Sequence, residues 1–131
     1  DQLSDFPLPE LIDFHEGKNM IASFLSAKPA HSFHQLEVDD DGVVTQFGPA
    51  ADTDYWINGG YLVLNNAIFD YIEEGDELVE KPFERLMAER RLGSVKYDGF
   101  WAAMDTFKDK IMFDRMHGRG ERPWEVWPNG T

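Results

Sequence analysis

The run Met20-Ile21-Ala22-Ser23-Phe24-Leu25-Ser26-Ala27 is continuously apolar or small and is stopped at once by Lys28-Pro29. It is too short for a membrane span and reads as a buried strand. Helical and strand patterns alternate on either side of it. Phe6-Pro7-Leu8-Pro9 leads into Glu10-Leu11-Ile12-Asp13-Phe14-His15-Glu16, with proline in a first helical turn, where its missing N–H is not needed. Ser4 or Asp5 can cap this helix and Gly17 ends it, with Leu8, Leu11, Ile12 and Phe14 or His15 marking its buried face. Gln35–Val38 and Val43–Phe47 form a hairpin, because Asp41-Gly42 supplies the positive φ of the turn. Tyr61–Leu64 is a core strand, Ala67–Ile72 a short helix, and Pro82–Arg90 a helix with Phe83, Leu86 and Met87 inward. Gly93 separates that helix from the strand Ser94–Tyr97. Phe107–His117 is a helix whose Phe107, Ile111, Met112 and Met116 recur at helical spacing. Trp124, Val126 and Trp127 then form a final strand or a clamp on the core. This alternation argues for an α/β fold, a mixed sheet flanked by helices.

The 131 residues fit one domain, 1–131. The net charge of −13 excludes nucleic acid and an anionic membrane as partners, since both need a cationic face. It leaves open a phosphorylated ligand neutralised by a metal or by a few local cations. Without cysteine there is no disulfide, thiolate site or thiol nucleophile. With no membrane-length apolar run and no visible signal peptide, a cytoplasmic location is expected. The first residues already read as the inside of a domain, so a fragment is expected.

Three places carry candidate chemistry. Gly99-Phe100-Trp101-Ala102-Ala103-Met104-Asp105-Thr106 sets an acid between an apolar strand end and a helix start. Asp105 there is either a buried metal ligand or a helix cap. Asn58-Gly59-Gly60 lets a ligand or another backbone approach, because no Cβ intervenes. Asp39-Asp40-Asp41-Gly42 lacks the later glutamate of a calcium loop and reads as a solvated turn. His15 reads as a surface or satisfied core residue. There is no Gly-rich phosphate loop, no His-Glu-x-x-His and no recognisable Ser-His-Asp pattern.

Taken together, Trp56-Ile57-Asn58-Gly59-Gly60-Tyr61-Leu62-Val63-Leu64, Phe69-Asp70-Tyr71-Ile72, Lys81-Pro82-Phe83-Glu84-Arg85-Leu86, Tyr97-Asp98-Gly99-Phe100-Trp101 through Met104-Asp105-Thr106 to Asp109-Lys110, and Pro123-Trp124-Glu125-Val126-Trp127 resemble the glucose-1-phosphate cytidylyltransferases, within the wider sugar-phosphate nucleotidyltransferases. The resemblance implies the C-terminal, sugar-binding part of a nucleotide-diphospho-sugar transferase (Rossmann-like) fold, without the N-terminal nucleotide-binding half. It implies transfer of a nucleotidyl group from CTP to glucose 1-phosphate, giving CDP-glucose and pyrophosphate, with Mg²⁺ as cofactor. Asp1 and Asp105 would be its metal ligands. Asn58, Gly59 and His34 would border the sugar phosphate, and no residue is assigned a catalytic role.

Two places depart from the family. Phe47-Gly48-Pro49 stands where the family has Glu-Lys-Pro, so its sugar-phosphate lysine is absent; Glu80-Lys81-Pro82 falls at a later helix and is no substitute. Ser32-Phe33-His34 stands where the family has Arg-Phe-Gly. Either His34 or Lys28 supplies the missing cation, or the substrate differs, or the fragment is inactive. A fragment lacking the triphosphate loop is expected not to turn over CTP alone. The alternative is a non-catalytic sugar-phosphate-binding or assembly module. Either way, apolar surface left bare by a missing half predicts a homo-oligomer.

Overall fold

The computed structural model describes residues 1–28, 34–49 and 55–127. The elements in chain order are β1 Gln2–Ser4, α1 Leu8–Gly17, β2 Ala22–Ala27, β3 His34–Val38, β4 Val44–Pro49, β5 Ile57–Asn58, β6 Val63–Leu64, a 3-10 turn Asn66–Tyr71, α2 Lys81–Ala88, β7 Leu92–Tyr97, β8 Trp101–Ala103 and α3 Phe107–Gly118. The expected mixed sheet flanked by helices is present.

β2 is its centre. It pairs antiparallel with β5 and β6 on one side and parallel with β7 on the other. Strands paired on both edges and covered on both faces read as continuous apolar runs, which is what Met20–Ala27 does. Successive side chains of β2 alternate between faces. Leu25 belongs to a core with Phe6 and Leu11. Ala22 belongs to another with Ile21, Ile68, Phe83 and Leu86, against which Phe24 also packs. β1 and β8 form a separate antiparallel pair, and β3–β4 is an exposed hairpin. Gly42 in its turn has φ +82°, as the Asp-Gly pattern requires. Asp39 Oδ1 accepts from the N–H groups of Asp41 and Val43, so the acidic run is an exposed turn.

Several expected faces and boundaries are corrected. In α1 the buried residues are Leu11 and His15, while Leu8 and Ile12 are 46% and 44% exposed. Neither Ser4 nor Asp5 caps α1. Ser4 Oγ donates to Phe100 O and accepts from Phe6 N, and Asp5 receives the Tyr97 hydroxyl. Tyr61–Leu64 is not a regular core strand: Tyr61 has φ +55°, and only Val63 and Leu64 pair with β2. β5 and β6 are two ends of one strand broken by Gly59–Leu62. Met87 is exposed, and Gly93 lies inside β7, where a Cβ would come within 2.8 Å of the Phe14 ring. In α3 Phe113 is buried, whereas Phe107 is 73% exposed and Met112 is also exposed. Of the tail only Trp124 clamps, packing on Phe100 and Phe113 at ring separations of 6.0 and 5.7 Å, while Val126 and Trp127 are exposed. Among the described residues no helix is long and apolar enough to cross a membrane.

The Tyr97–Asp5 bond ties β7 to the start of the chain. Donation to the Asp5 carboxylate, with some burial, pushes the Tyr97 phenol up from 10.0 to about 12. The neutral phenol is therefore favoured in the folded state. Its stabilisation is complete below pH 10 and is lost as pH rises from 10 through about 12. Phenolate absorbance should show Tyr97 titrating late, alongside Tyr61, raised by burial, and Tyr71, raised by its bond to Glu89. Tyr97→Phe should remove one late step and flatten the alkaline fall in stability. An unchanged alkaline profile in Tyr97→Phe would refute this coupling.

Candidate functional site

β1 and β8 position the two acids. Their register pairs Gln2 with Ala103 and Ser4 with Trp101, and Met104 N donates to Asp1 O at 2.7 Å. Asp1 therefore faces Met104, one residue out of step with Asp105, and both acids lie at the same end of this pair. Asp1 also lines a small apolar cavity with Leu3, Met104 and Phe113. Asp105 is exposed, not buried as expected. It is not the helix cap either. Thr106 caps α3 in a capping box with Asp109, whose carboxylate accepts from the N–H groups of Asp105 and Thr106. Capping therefore does not account for an acid at position 105. Among the described residues no group of three or more His, Cys, Asp or Glu is arranged to hold a metal. The register brings the backbones of Asp1 and Asp105 to one end of the β1–β8 pair, but one residue out of step, so strand alternation alone does not set their side chains on one face.

The Asn58–Tyr61 break sits against that pair. Trp101 Nε1 donates to Gly59 O at 2.8 Å, and Tyr61 Oη donates to Gln2 O at 3.1 Å. Gly59 is buried, and its N–H donates to Leu25 O at 2.7 Å. A Cβ there would lie 2.9 Å from Leu25 O and 3.1 Å from Trp101 Nε1. Of the two reasons for glycine open in the sequence, the approach of another backbone is the one observed. Gly59→Ala is expected to cost about 1–3 kcal/mol by overpacking. Trp101→Phe should not restore it, because the closer neighbour is backbone. Urea unfolding of the single and double variants checks this, and full rescue by Trp101→Phe would contradict it. Asn58 is exposed, and its Oδ1 accepts from Gly60 N at 2.9 Å, which leaves Nδ2 facing outward as a donor.

His34 does not join this group. It lies in the exposed hairpin, its ring stacked on Phe47 at 4.9 Å, and among the described residues no hydrogen bond or ring contact ties it to Asn58, Gly59 or Asp105. Its neighbours Ser32 and Phe33 lie outside the described residues. His15 is a satisfied core histidine. Nδ1 meets Ser23 Oγ at 2.8 Å and Nε2 meets Asn65 Oδ1 at 2.7 Å. Because Asn65 Nδ2 donates to Met20 O, its Oδ1 is the acceptor, so Nε2 carries the proton.

One cluster lay outside sequence reasoning. Trp56 precedes β5, Lys28 follows β2, and Lys96 is on β7. Lys28 Nζ and Lys96 Nζ stand 5.2 and 5.4 Å from the centre of the Trp56 ring. The Trp56 indole N–H is buried and has no hydrogen-bond partner among the described residues. Only Lys28 carried a signal in sequence, as a cation available to replace a missing one.

Comparison with known proteins finds no matching family model. The chain is 32% identical over 129 residues to a probable glucose-1-phosphate cytidylyltransferase of Bacillus subtilis (strain 168), covering 97% of this chain and 50% of that protein. It is 30% identical over the same shares to the glucose-1-phosphate cytidylyltransferase of Salmonella typhi. A probable mannose-1-phosphate guanylyltransferase 3 of Arabidopsis thaliana is 29% identical over 89% of this chain and 37% of its own length. The chain thus spans about half the length, or less, of the curated relatives it matches.

Proposed function

This chain is homologous, over nearly its whole length, to part of the sugar-phosphate nucleotidyltransferases, and on that premise we propose that it is the sugar-1-phosphate-binding part of such an enzyme. The reaction of the whole protein would be attack of a sugar 1-phosphate oxygen on the α-phosphorus of a nucleoside triphosphate, releasing pyrophosphate. Glucose 1-phosphate and CTP are the proposed pair.

The observation that carries this reading is the β1–β8 ladder, which brings the backbones of Asp1 and Asp105 to one end and holds the Asn58–Gly60 segment through Trp101. Two carboxylates suit Mg²⁺, which takes one or two such ligands and completes its shell with water and phosphate oxygens. Asp1 and Asp105 would hold it. Bound there, the ion would neutralise and orient phosphate oxygens. The protein's own part would be positional. Asn58 Nδ2 would donate to a sugar hydroxyl. Gly59, buried with its N–H and C=O both engaged, would act by holding the Asn58 segment close against β2 and Trp101.

Calorimetry with glucose 1-phosphate and Mg²⁺ tests this. Saturable heat is expected, with affinity at least about ten-fold weaker in Asp105→Ala, the loss of one charged ligand. No heat in the wild type would end the sugar-site reading, and unchanged affinity in Asp105→Ala would remove the acid pair from it. A binding or assembly module is the second reading. A groove lined by Leu8, Ile12, Tyr61, Leu62 and Val63 favours it, since exposed apolar surface of this kind drives association. That reading expects a homo-oligomer by light scattering and no response to nucleotide.

A further inference from the structure

We propose that Lys28, Lys96 and Trp56 frame a binding site for a phosphoryl dianion. The inference rests on the reading above only for the source of that dianion, a sugar 1-phosphate. The site itself stands on this chain's geometry.

The β2 register aligns the three residues. Ser26 pairs with Lys96 on one side and with Asn58 on the other, and Ala27 pairs with Ile57. Extending that ladder by one residue sets Lys28 opposite Trp56. Ser26, Lys28, Asn58, Trp56, Ser94 and Lys96 therefore share one face of the sheet. Earlier along β2 the same face carries Ala22 and Phe24, packed with Phe83 of α2. Toward the carboxyl ends of β2 and β7 it turns polar and cationic. In open α/β sheets that is the end at which ligands bind.

Two like charges near one ring repel each other; water screens the exposed Lys96, but Lys28 is half-buried, so an anion at this end of the sheet would be favoured. The chain has 25 acidic residues, yet neither lysine has a salt-bridge partner among the described residues. The ring face attracts a cation, but it supplies no counter-charge. The Trp56 N–H is a second unmet demand: a buried donor without an acceptor is a cost that native proteins rarely leave standing. Ser26 and Ser94 are hydrogen-bonded to each other, and Ser94 Oγ donates to Phe24 O at 3.0 Å, so they are not the missing partners. A phosphoryl dianion reached by both ammonium groups would supply the missing counter-charge, its oxygens accepting from Lys28 and Lys96, with the Trp56 ring beside both as the reporter of its arrival. Asn58 Nδ2, on the same face, would then meet the sugar end of a sugar 1-phosphate.

The test is an NMR titration of the chain with inorganic phosphate, and separately with glucose 1-phosphate, without added metal. The Trp56 indole resonance is assigned by its loss in Trp56→Phe. Saturable movement of that resonance is expected with either ligand, and Lys28→Met and Lys96→Met should each weaken it about ten-fold or more. Lys28→Arg should retain it, and amide shifts of β2 and β7 report that the variants are folded. No saturable movement, equal movement with chloride at matched ionic strength, or undiminished affinity in both methionine variants would overturn the proposal. If glucose 1-phosphate gives calorimetric heat without moving Trp56, this site is wrong and the broader functional reading stands. If phosphate moves Trp56 and glucose 1-phosphate does not, the anion site stands and the sugar-phosphate reading loses its support.

Discussion

Leu25→Ala is expected to lower the unfolding free energy by about 2–5 kcal/mol, the range for deleting a large buried aliphatic side chain. Leu25 is 0% exposed and sits in β2, the one strand among the described residues that is paired on both edges. It packs with Phe6 and Leu11, so the loop before α1, α1 itself and the sheet all lose contacts at once. Its own amide donates to Gly60 O, and its carbonyl accepts from Gly59 N. A void there has little room to collapse without breaking the β2–β5 pairing, which favours the upper part of the range. The control is Val44→Ala on the exposed hairpin, expected within about 0.5 kcal/mol of wild type. Urea unfolding of both variants measures the contrast. A loss under about 1 kcal/mol at Leu25 would mean that β2 is not the centre of the core.

His15→Leu is expected to cost about 1–3 kcal/mol although it places an apolar residue in an apolar setting. The histidine is 2% exposed and serves Ser23 Oγ and Asn65 Oδ1. Removing it strands the buried Ser23 hydroxyl at about 1–3 kcal/mol, whereas the exposed Asn65 amide can turn to water. Adding Ser23→Ala should recover part of the loss, because taking away both partners of a buried bond is far less costly than taking away one. The same variants decide what kind of residue His15 is. A structural role requires that His15→Leu, below its melting temperature, binds glucose 1-phosphate with wild-type affinity. A full loss of binding with unchanged stability would make it a ligand instead.

The helix faces show where sequence periodicity stops. In α1 the spacing of Leu8, Leu11 and Ile12 is helical, and the helix is there, but its buried stripe runs through Leu11 and His15. A hydrogen-bonded histidine displaced a leucine from the core because Ser23 and Asn65 were waiting for it, and they lie on other elements. In α3 a pattern built on Phe107 and Met112 was as regular as one through Phe113, and the Trp124 clamp chose the latter. Asp105 held two possible roles in sequence, and the capping box of Thr106 and Asp109 removed one of them.

What the sequence by itself determined is local. The β2 run and its stop, the Asp-Gly hairpin turn and the starts of the helices all follow from backbone sterics and nearby hydrogen bonds, which act within a few residues. Only the tertiary structure decided which neighbour Gly59 admits, that Asp1 and Asp105 reach the same end of one ladder, and that Lys28, Trp56 and Lys96 converge. The reason is register. Which residues of distant strands share a face depends on pairings between segments far apart in the chain, and a shift of one residue would turn every one of those side chains to the other side.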